Sequence, residues 1–423
     1  MEIIGEDSQE KAVLIGVELP GTGSQEVEDS LEELARLTET AGAYVADVQV
    51  QRRKRPHPAT FIGPGKAEEL RDICAELEVG VVICDREISP GQANKLEKIA
   101  EVKVLDRTQL ILDIFAGRAR TREGKLQVEL AQLEYMLPRL VGAGTQLSRL
   151  GGGIGTRGPG ETKLEIDRRR IRKRISDLRK EIVEVRRHRE LLRRGRKEIP
   201  VPLVSLVGYT NAGKSTLLNS LTGAEVLVED KLFATLDPTT RRVDLPNNQE
   251  VLFTDTVGFI KNLPHHLVAA FRATLEEVVE ADLLLHVVDA SHPNYPEQVE
   301  AVNSVLDSLD VGSKSTIMVF NKMDKVQDLP VFQDPDVPWV AVSAHTEKGL
   351  DNLLSAVEDA LGKERVRVTF SIPYDKSTLL DTIHQKGLVL HQEHGQEGIY
   401  LEVEMDRVWA ERIEARLGDD KNL

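Results

Sequence analysis

The sequence predicts a multidomain α/β chain in which two parallel-sheet domains flank a helical hairpin and a small α+β unit comes last. Three observations carry that expectation: alternating strand and helix patterns up to residue 118, two apolar seams with heptad spacing over 119–198, and a glycine loop between an apolar run and a helical pattern near 208. The expected divisions are 1–118, 119–198, 199–362 and 363–423.

The first division is read as repeated βα. Apolar runs at Lys11 to Leu19, Tyr44 to Val50, Gly80 to Cys84 and Val102 to Leu105 alternate with helical patterns at Ser30 to Ala43, Gly65 to Glu78 and Pro90 to Ala100. Such alternation implies a parallel N-terminal sheet covered on both faces. Arg52-Arg-Lys-Arg-Pro-His-Pro58 is basic and broken by proline, and so is expected at the surface. Phe61-Ile-Gly-Pro-Gly-Lys66 lacks the spacing and the hydroxyl of a phosphate loop and reads as the start of a helix.

In the hairpin, Leu126, Leu130, Leu133, Leu137 and Leu140 fall at spacings of 4, 3, 4 and 3. Leu164, Ile171, Ile175, Leu178, Ile182, Val185 and Leu192 keep the same heptad, with Arg168 and Arg189 in the remaining seam positions. Matching seams predict an antiparallel coiled-coil pair, with Pro138 expected to end the first helix early. The tip, Gly151 to Glu161, contains Gly153-Ile-Gly-Thr-Arg-Gly158, a formal match to the dinucleotide fingerprint. It follows a helix and lies outside any βαβ unit, so the fingerprint reading is rejected. A bare-backbone loop carrying Arg157 suits contact with RNA instead.

Gly208-Tyr209-Thr210-Asn211-Ala212-Gly213-Lys214-Ser215 fits G-x-x-x-x-G-K-[S/T], between the apolar run Val201 to Val207 and a helix beginning near Thr216. Strand, loop and helix in that order let backbone N–H groups wrap phosphates, Lys214 reach the outer ones and the Ser215 hydroxyl ligate Mg²⁺. Asn321-Lys322-Met323-Asp324 follows the strand Thr316 to Phe320, where a base-reading loop belongs. The Asp324 carboxylate accepts from both the ring N–H and the exocyclic amine of guanine, whereas adenine would leave it unpaired. Ser343-Ala344-His345 completes the base pocket. Asp255-Thr256-Val257-Gly258 ends a further strand as D-x-x-G, with Asp255 holding Mg²⁺ through water and the Gly258 N–H meeting the γ-phosphate. The first switch lies before it, and Phe233-Ala234-Thr235-Leu236-Asp237 to Thr240 offers Thr235, Thr239 and Thr240 as hydroxyls. Phe259 stands where many signalling GTPases carry the water-positioning glutamine. No residue is assigned as the catalytic group; His265, His266, Arg241 and Arg242 are nearby candidates.

The last 60 or so residues read as strand, helix, two strands and helix, an α+β unit on a ferredoxin-like pattern. His384, His391 and His394 lack metal-ligand spacing. Cys74 and Cys84, the only two cysteines, support neither a disulfide framework nor a zinc cluster. Met1-Glu-Ile-Ile-Gly-Glu-Asp has no basic and apolar leader, and no apolar run nears the ~20 residues that span a bilayer. A cytoplasmic chain without an integral membrane segment is expected.

Net charge is −15, yet Arg157 to Lys197 holds 17 Lys and Arg against seven Asp and Glu. One cationic element on an acidic chain favours defined docking on a polyanion over general coating. Arg157, Arg168, Arg169, Arg170, Arg172 and Arg174 are the residues expected to face RNA.

Taken in order, Phe61 to Lys66, the tip Gly151 to Glu161, Gly208 to Ser215, Phe233 to Arg241, Asp255 to Phe259 and Asn321 to Asp324 make the whole chain resemble the HflX family of translation-factor-related GTPases. The resemblance implies an N-terminal α/β domain, a helical hairpin, a Ras-like P-loop GTPase domain and a short C-terminal domain. It points to Thr235 as the second Mg²⁺ hydroxyl, through the FATLDPTTR form of the switch, with Thr239 as the alternative. It also implies a monomer that binds the large ribosomal subunit, splits or rescues stalled ribosomes under stress, and hydrolyses GTP to GDP when stimulated by the ribosome. The other classes of function to be weighed are an RNA-remodelling NTPase and a regulatory switch acting on a non-ribosomal protein.

Overall fold

The computed structural model describes residues 9–21, 23–147, 163–194, 201–223, 231–261, 275–327, 337–362, 365–376, 378–395 and 398–418. Arg157, the glycine-rich tip, His265 and His266 lie outside them. Among the described residues, those up to 189 together with 231–237 form one compact unit, and the remainder forms a second.

The first unit is organised on four parallel strands, β1 (Lys11–Glu18), β2 (Tyr44–Arg52), β3 (Val81–Cys84) and β4 (Lys103–Asp106), in the order β2-β1-β3-β4. Four helices lie between or after them: α1 (Ser24–Thr40), α2 (Pro64–Glu76), α3 (Pro90–Ala100) and α4 (Arg107–Arg118). The central strands, β3 throughout and β1 between its charged ends Lys11 and Glu18, are apolar because both faces are covered. Val13, Ile15, Val82 and Cys84 pack on Leu70, Cys74 and Leu96. The Phe61 to Lys66 segment is a helix start, with Gly63 capping α2. Burial pushes the Cys74 thiol up to about 11 and raises Cys84 further still.

The sequence patterns predict no element over residues 107–118, which form α4. Its polar start carries the signal: Asp106 and Gln109 make a reciprocal capping box. Asp106 is fully buried and accepts as well from the Tyr135 hydroxyl, from Arg139 at 2.9 Å and from the Ile88 N–H at 3.2 Å. Beside it the buried Arg107 guanidinium bonds Glu33 at 2.7 Å and Asp85 at 2.8 Å, so each buried charge has a partner.

Tyr135 and Arg139 belong to α5 (Arg122–Leu147), the first hairpin helix, and α6 (Lys163–Arg194) is the second. Pro138 does not end α5, which continues nine residues beyond it. Proline removes one helical hydrogen bond, but Leu137 packs in the seam and Arg139, lying over the Tyr135 ring, is tied to Asp106, so both sides of the break stay anchored. Leu126, Leu130, Leu133 and Leu137 meet Ile171, Ile175, Leu178, Ile182 and Val185. Glu129 and Arg174 each precede a seam residue and pair at 2.7 Å, while Glu134 and Arg179 each follow one and pair at 2.7 Å. Like positions facing each other on the two flanks fit antiparallel helices.

The second unit holds a six-stranded sheet of β5 (Leu203–Gly208), β6 (Thr239–Asp244), β7 (Glu250–Asp255), β8 (Leu283–Asp289), β9 (Thr316–Asn321) and β10 (Trp339–Ala341), ordered β10-β9-β8-β5-β7-β6. Only β6 runs antiparallel to its neighbour. The helices are α7 (Lys214–Thr222), α8 (Glu276–Glu280), α9 (Tyr295–Ser308) and α10 (Leu350–Leu361). The chain leaves β5 toward β7 and then crosses to β8 on its other side, which puts a crevice at the carboxyl end of β5.

The same unit contains β11 (Arg365–Ile372), α11 (Thr378–Lys386), β12 (Gly387–His394), β13 (Ile399–Asp406) and α12 (Arg407–Gly418), with antiparallel order β11-β13-β12. The ferredoxin-like expectation fails by one strand: among the described residues no fourth strand joins this sheet. Phe370, Ile383, Leu401, Val403 and Ile413 still close its core. Among the described residues no His, Cys, Asp and Glu group suits a metal ion, and no helix is long and apolar enough to cross a membrane.

Leu178 is fully buried in the hairpin seam. Leu178→Ala should lower stability by about 2–5 kcal/mol, read as an earlier urea midpoint by circular dichroism; an unchanged midpoint would show that the seam does not hold the helices.

Candidate nucleotide site

The loop after β5 is shaped by positions that no ordinary side chain could fill. A Cβ on Gly208, at φ +150°, would stand 2.2 Å from the Val287 carbonyl oxygen, and one on Gly213, at φ +93°, 2.3 Å from the Asn321 amide nitrogen. Glycine is required there because the backbone passes directly over its neighbours. Asn211 adopts φ +61° between them.

At the start of α7, buried Lys214 donates to the Gly208 carbonyl at 3.0 Å and the Tyr209 carbonyl at 2.8 Å. Burial lowers its pKa to about 8, against the opposing charge of Asp255. Ser215 Oγ donates to the Asp255 carboxylate at 2.6 Å, and Asp255 is 1% exposed at the end of β7. A hydroxyl and a carboxylate converging in this way form the hard-oxygen set that suits Mg²⁺. Thr239 stands opposite Asp255 on the β6–β7 ladder.

The segment after Asp255 is fastened to the phosphate loop. The Thr256 hydroxyl donates to the Leu206 carbonyl at 2.6 Å, the Phe259 N–H to the Gly208 carbonyl at 3.1 Å, and the Thr210 N–H to the Phe259 carbonyl at 2.7 Å. Gly258 lies so near Thr210 that a Cβ would meet its Cα at 2.7 Å. The Lys261 N–H adds a bond to the Tyr209 hydroxyl at 2.7 Å. Phe259 itself is 1% exposed, so its ring is packed away and offers nothing to orient a water. Arg241 and Arg242 are exposed on β6, Arg242 near Glu250 at 3.8 Å.

Asn321 is buried at the end of β9, where its amide donates to the Ala212 carbonyl and accepts from the Ala344 N–H, both at 2.9 Å. Lys322, at φ +62°, turns the chain and pairs with Asp289 at 2.7 Å. The Met323 N–H bonds the Val342 carbonyl at 3.2 Å. Asp324 is exposed and accepts from the Ser343 hydroxyl at 2.6 Å, the main cause that holds its carboxyl below the ordinary range. The carboxylate is thus held in its charged form. His345 is exposed beside it.

Gly208 to Thr216, Asp255 to Gly258, Asn321 to Asp324 and Ser343 to His345 therefore come together in the second unit. Phe233, Ala234, Thr235, Leu236 and Asp237 belong to the first unit. Sequence reasoning missed His286, buried on β8 opposite Val207. Burial, and then the charge of Lys214, push it down to about 3, so it is neutral at pH 7; a histidine inside the apolar run Leu283 to Val288 was the available signal. On α6, Arg169, Arg170 and Arg172 are exposed and Arg168 is half-buried. Arg174 is held by Glu129 at 2.7 Å and Glu181 at 3.2 Å.

Four family models match in series: "GTP-binding GTPase N-terminal" at residues 28–116, "GTP-binding GTPase Middle Region" at 118–196, "50S ribosome-binding GTPase" at 203–322 and "HflX C-terminal domain" at 335–423. The GTPase HflX of Caldanaerobacter subterraneus subsp. tengcongensis is 49% identical over 98% of this chain and 95% of its own length. That of Escherichia coli K12 is 45% identical over 94% of each. A GTP-binding protein of Sulfolobus solfataricus, solved in complex with GDP, is 23% identical with a TM-score of 0.45 over 84% of this chain and 99% of its own. With matches that run through all four parts and full-length relatives near half identity, this chain belongs to the HflX family of GTPases.

Proposed function

We propose that this GTPase works in the cytoplasm as a monomer that docks on the large ribosomal subunit, splits or rescues stalled ribosomes under stress, and hydrolyses GTP when the ribosome completes its site. The observation that carries this reading is Phe259. Its ring is buried and its backbone is pinned to the phosphate loop, so the position that orients water in signalling GTPases is closed. A partner that supplies that group would complete the site. The exposed cations Arg169, Arg170 and Arg172 on α6 suit ribosomal RNA phosphates, the polyanion an acidic chain would approach through one element. The similarity of residues 203–322 to the 50S ribosome-binding GTPase family supports the same partner.

In this reading Lys214 exchanges its two carbonyl partners for phosphate oxygens, and the Gly258 N–H meets the γ-phosphate. Asp324 receives guanine, with Ser343 and Ala344 closing the pocket. Ser215, Thr235 and Asp255 would hold Mg²⁺, which would supply positive charge to the phosphate oxygens. Water then attacks the γ-phosphorus, the bond to the bridging oxygen breaks, and GDP and phosphate remain.

GTP turnover by the full chain should rise at least tenfold when 50S subunits are added; equal rates with and without them would remove the idea that a partner completes the site. Arg169, Arg170 and Arg172 changed together to Glu should prevent co-sedimentation with 50S subunits in a GTP analogue while sparing GTP binding, and retained co-sedimentation would take the hairpin out of docking. Asp324→Asn should weaken GTP by roughly 10²-fold, two mismatched hydrogen bonds at about 1–3 kcal/mol each, and favour xanthosine triphosphate. Unchanged nucleotide preference in competition binding would displace Asp324 from the base.

A further inference from the structure

The segment after Asp255 joins the phosphate loop as a short parallel ladder that a side chain completes. Tyr209 and Phe259 face each other as a parallel bridge. Its two rungs are the Phe259 N–H to the Gly208 carbonyl at 3.1 Å and the Thr210 N–H to the Phe259 carbonyl at 2.7 Å. In a regular parallel ladder the next rung would run from the Lys261 N–H to the Thr210 carbonyl. The loop has by then begun to turn: the Ala212 N–H closes on the Tyr209 carbonyl at 3.2 Å, and Asn211 stands at φ +61°. The Lys261 N–H goes instead to the Tyr209 hydroxyl at 2.7 Å. Tyr209 is 7% exposed, and Phe259 and Ile260 are 1% and 2% exposed, so water has little access to this third rung.

Tyr209 thus serves the site twice: its carbonyl accepts from Lys214 at 2.8 Å, and its hydroxyl holds the chain two residues beyond Phe259. Gly258 sits between two fixed points. Before it the Thr256 hydroxyl bonds the Leu206 carbonyl at 2.6 Å, and after it come the rungs of Phe259 and Lys261. The Lys261 ammonium also meets Glu297 of α9 at 3.0 Å, but those side chains are 37% and 58% exposed, and an exposed pair of this kind adds little. The tyrosine hydroxyl is the stronger tie, because losing it would strand a backbone N–H.

We infer that the Tyr209 hydroxyl is a positioning group for GTP hydrolysis: it sets where the Gly258 N–H stands, and so how strongly the chain distinguishes GTP from GDP. This rests on the reading in which that N–H meets the γ-phosphate. GDP makes no call on Gly258, whereas GTP gains from it only as far as its backbone is already in place. The cradle common to both nucleotides does not depend on the hydroxyl, since Asn321 holds the Ala212 carbonyl and Lys214 bonds the carbonyls of Gly208 and Tyr209.

Tyr209→Phe removes one oxygen and keeps the ring. In the full chain, affinity for a GTP analogue with an imido bridge between its β- and γ-phosphates should fall about five- to tenfold, while affinity for GDP stays within about twofold. The kcat/KM for GTP should fall with the analogue, and hydrogen exchange at the Lys261 amide should quicken. A hydroxyl that merely stabilised the fold would lower both affinities alike, so an unchanged ratio of the two overturns the inference. The reading of Gly258 is judged separately in the unaltered chain, where the analogue should slow exchange at the Gly258 amide relative to GDP. No slowing there removes Gly258 from the γ-phosphate and the inference with it; slowing there, with an unchanged affinity ratio in Tyr209→Phe, sinks the role of the hydroxyl alone.

Discussion

Asn321 spends both ends of one buried amide on holding two loops in place, donating to Ala212 in the phosphate loop and accepting from Ala344 behind the base pocket. Neither partner belongs to a ladder of the sheet, so without this side chain each loop would carry an unsatisfied buried group. The spacing between phosphate cradle and base pocket depends on that single span, and Gly213 must be glycine because the same amide occupies the space of a side chain. Asp324 keeps its place relative to the loop that carries Lys214 because Asn321, three residues earlier, fixes the frame. The Ser220 hydroxyl, bonded to the Ala344 carbonyl at 2.7 Å, extends the frame into α7.

Electrostatics divide the chain in another way. The hairpin is cationic in sequence, but the structure spends part of that charge internally. Arg174 and Arg179 each lie along a seam flank against glutamates of α5, where exposed pairs contribute little net energy yet help specify which helix faces meet. Arg169, Arg170 and Arg172 face outward. The sheet end of the hairpin is organised differently, since Asp106 gathers Tyr135, Arg139 and the Ile88 N–H in a dry setting, where losing any partner is expensive. One end is therefore rigidly rooted, and the middle is a zipper with a charged exterior.

Much of this was legible because periodicity and local chemistry agree. The βα alternation, the heptad seams and the glycine loop are short-range patterns; the alternation and the loop form, and the seams close from Leu126 to Leu137 and from Ile171 to Val185, while the side chains of Leu164, Arg189 and Leu192 lie outside the described residues. What escaped the sequence is non-local. Helix α4 follows β4 with no turn residues between them, and its buried Arg107 looks polar until Asp85 and Glu33 meet it in space. Pro138 read as a helix end because the bond it removes is local, while the contacts that carry α5 past it are tertiary. The C-terminal pattern of strand, helix, two strands and helix is shared with folds that add a fourth strand, so pattern alone could not count the sheet. Asp237 lies in a recognisable switch sequence, but its partners are 116 and 117 residues away, and no spacing rule connects them.

Both cysteines of the chain are buried as well as unpaired with one another. Cys74 is 2% exposed and Cys84 fully enclosed, and burial keeps both as thiols rather than thiolates. Peroxide and disulfide reagents attack the exposed thiolate. Neither sulfur in this chain offers that target, so in the folded protein both thiols should resist those reagents.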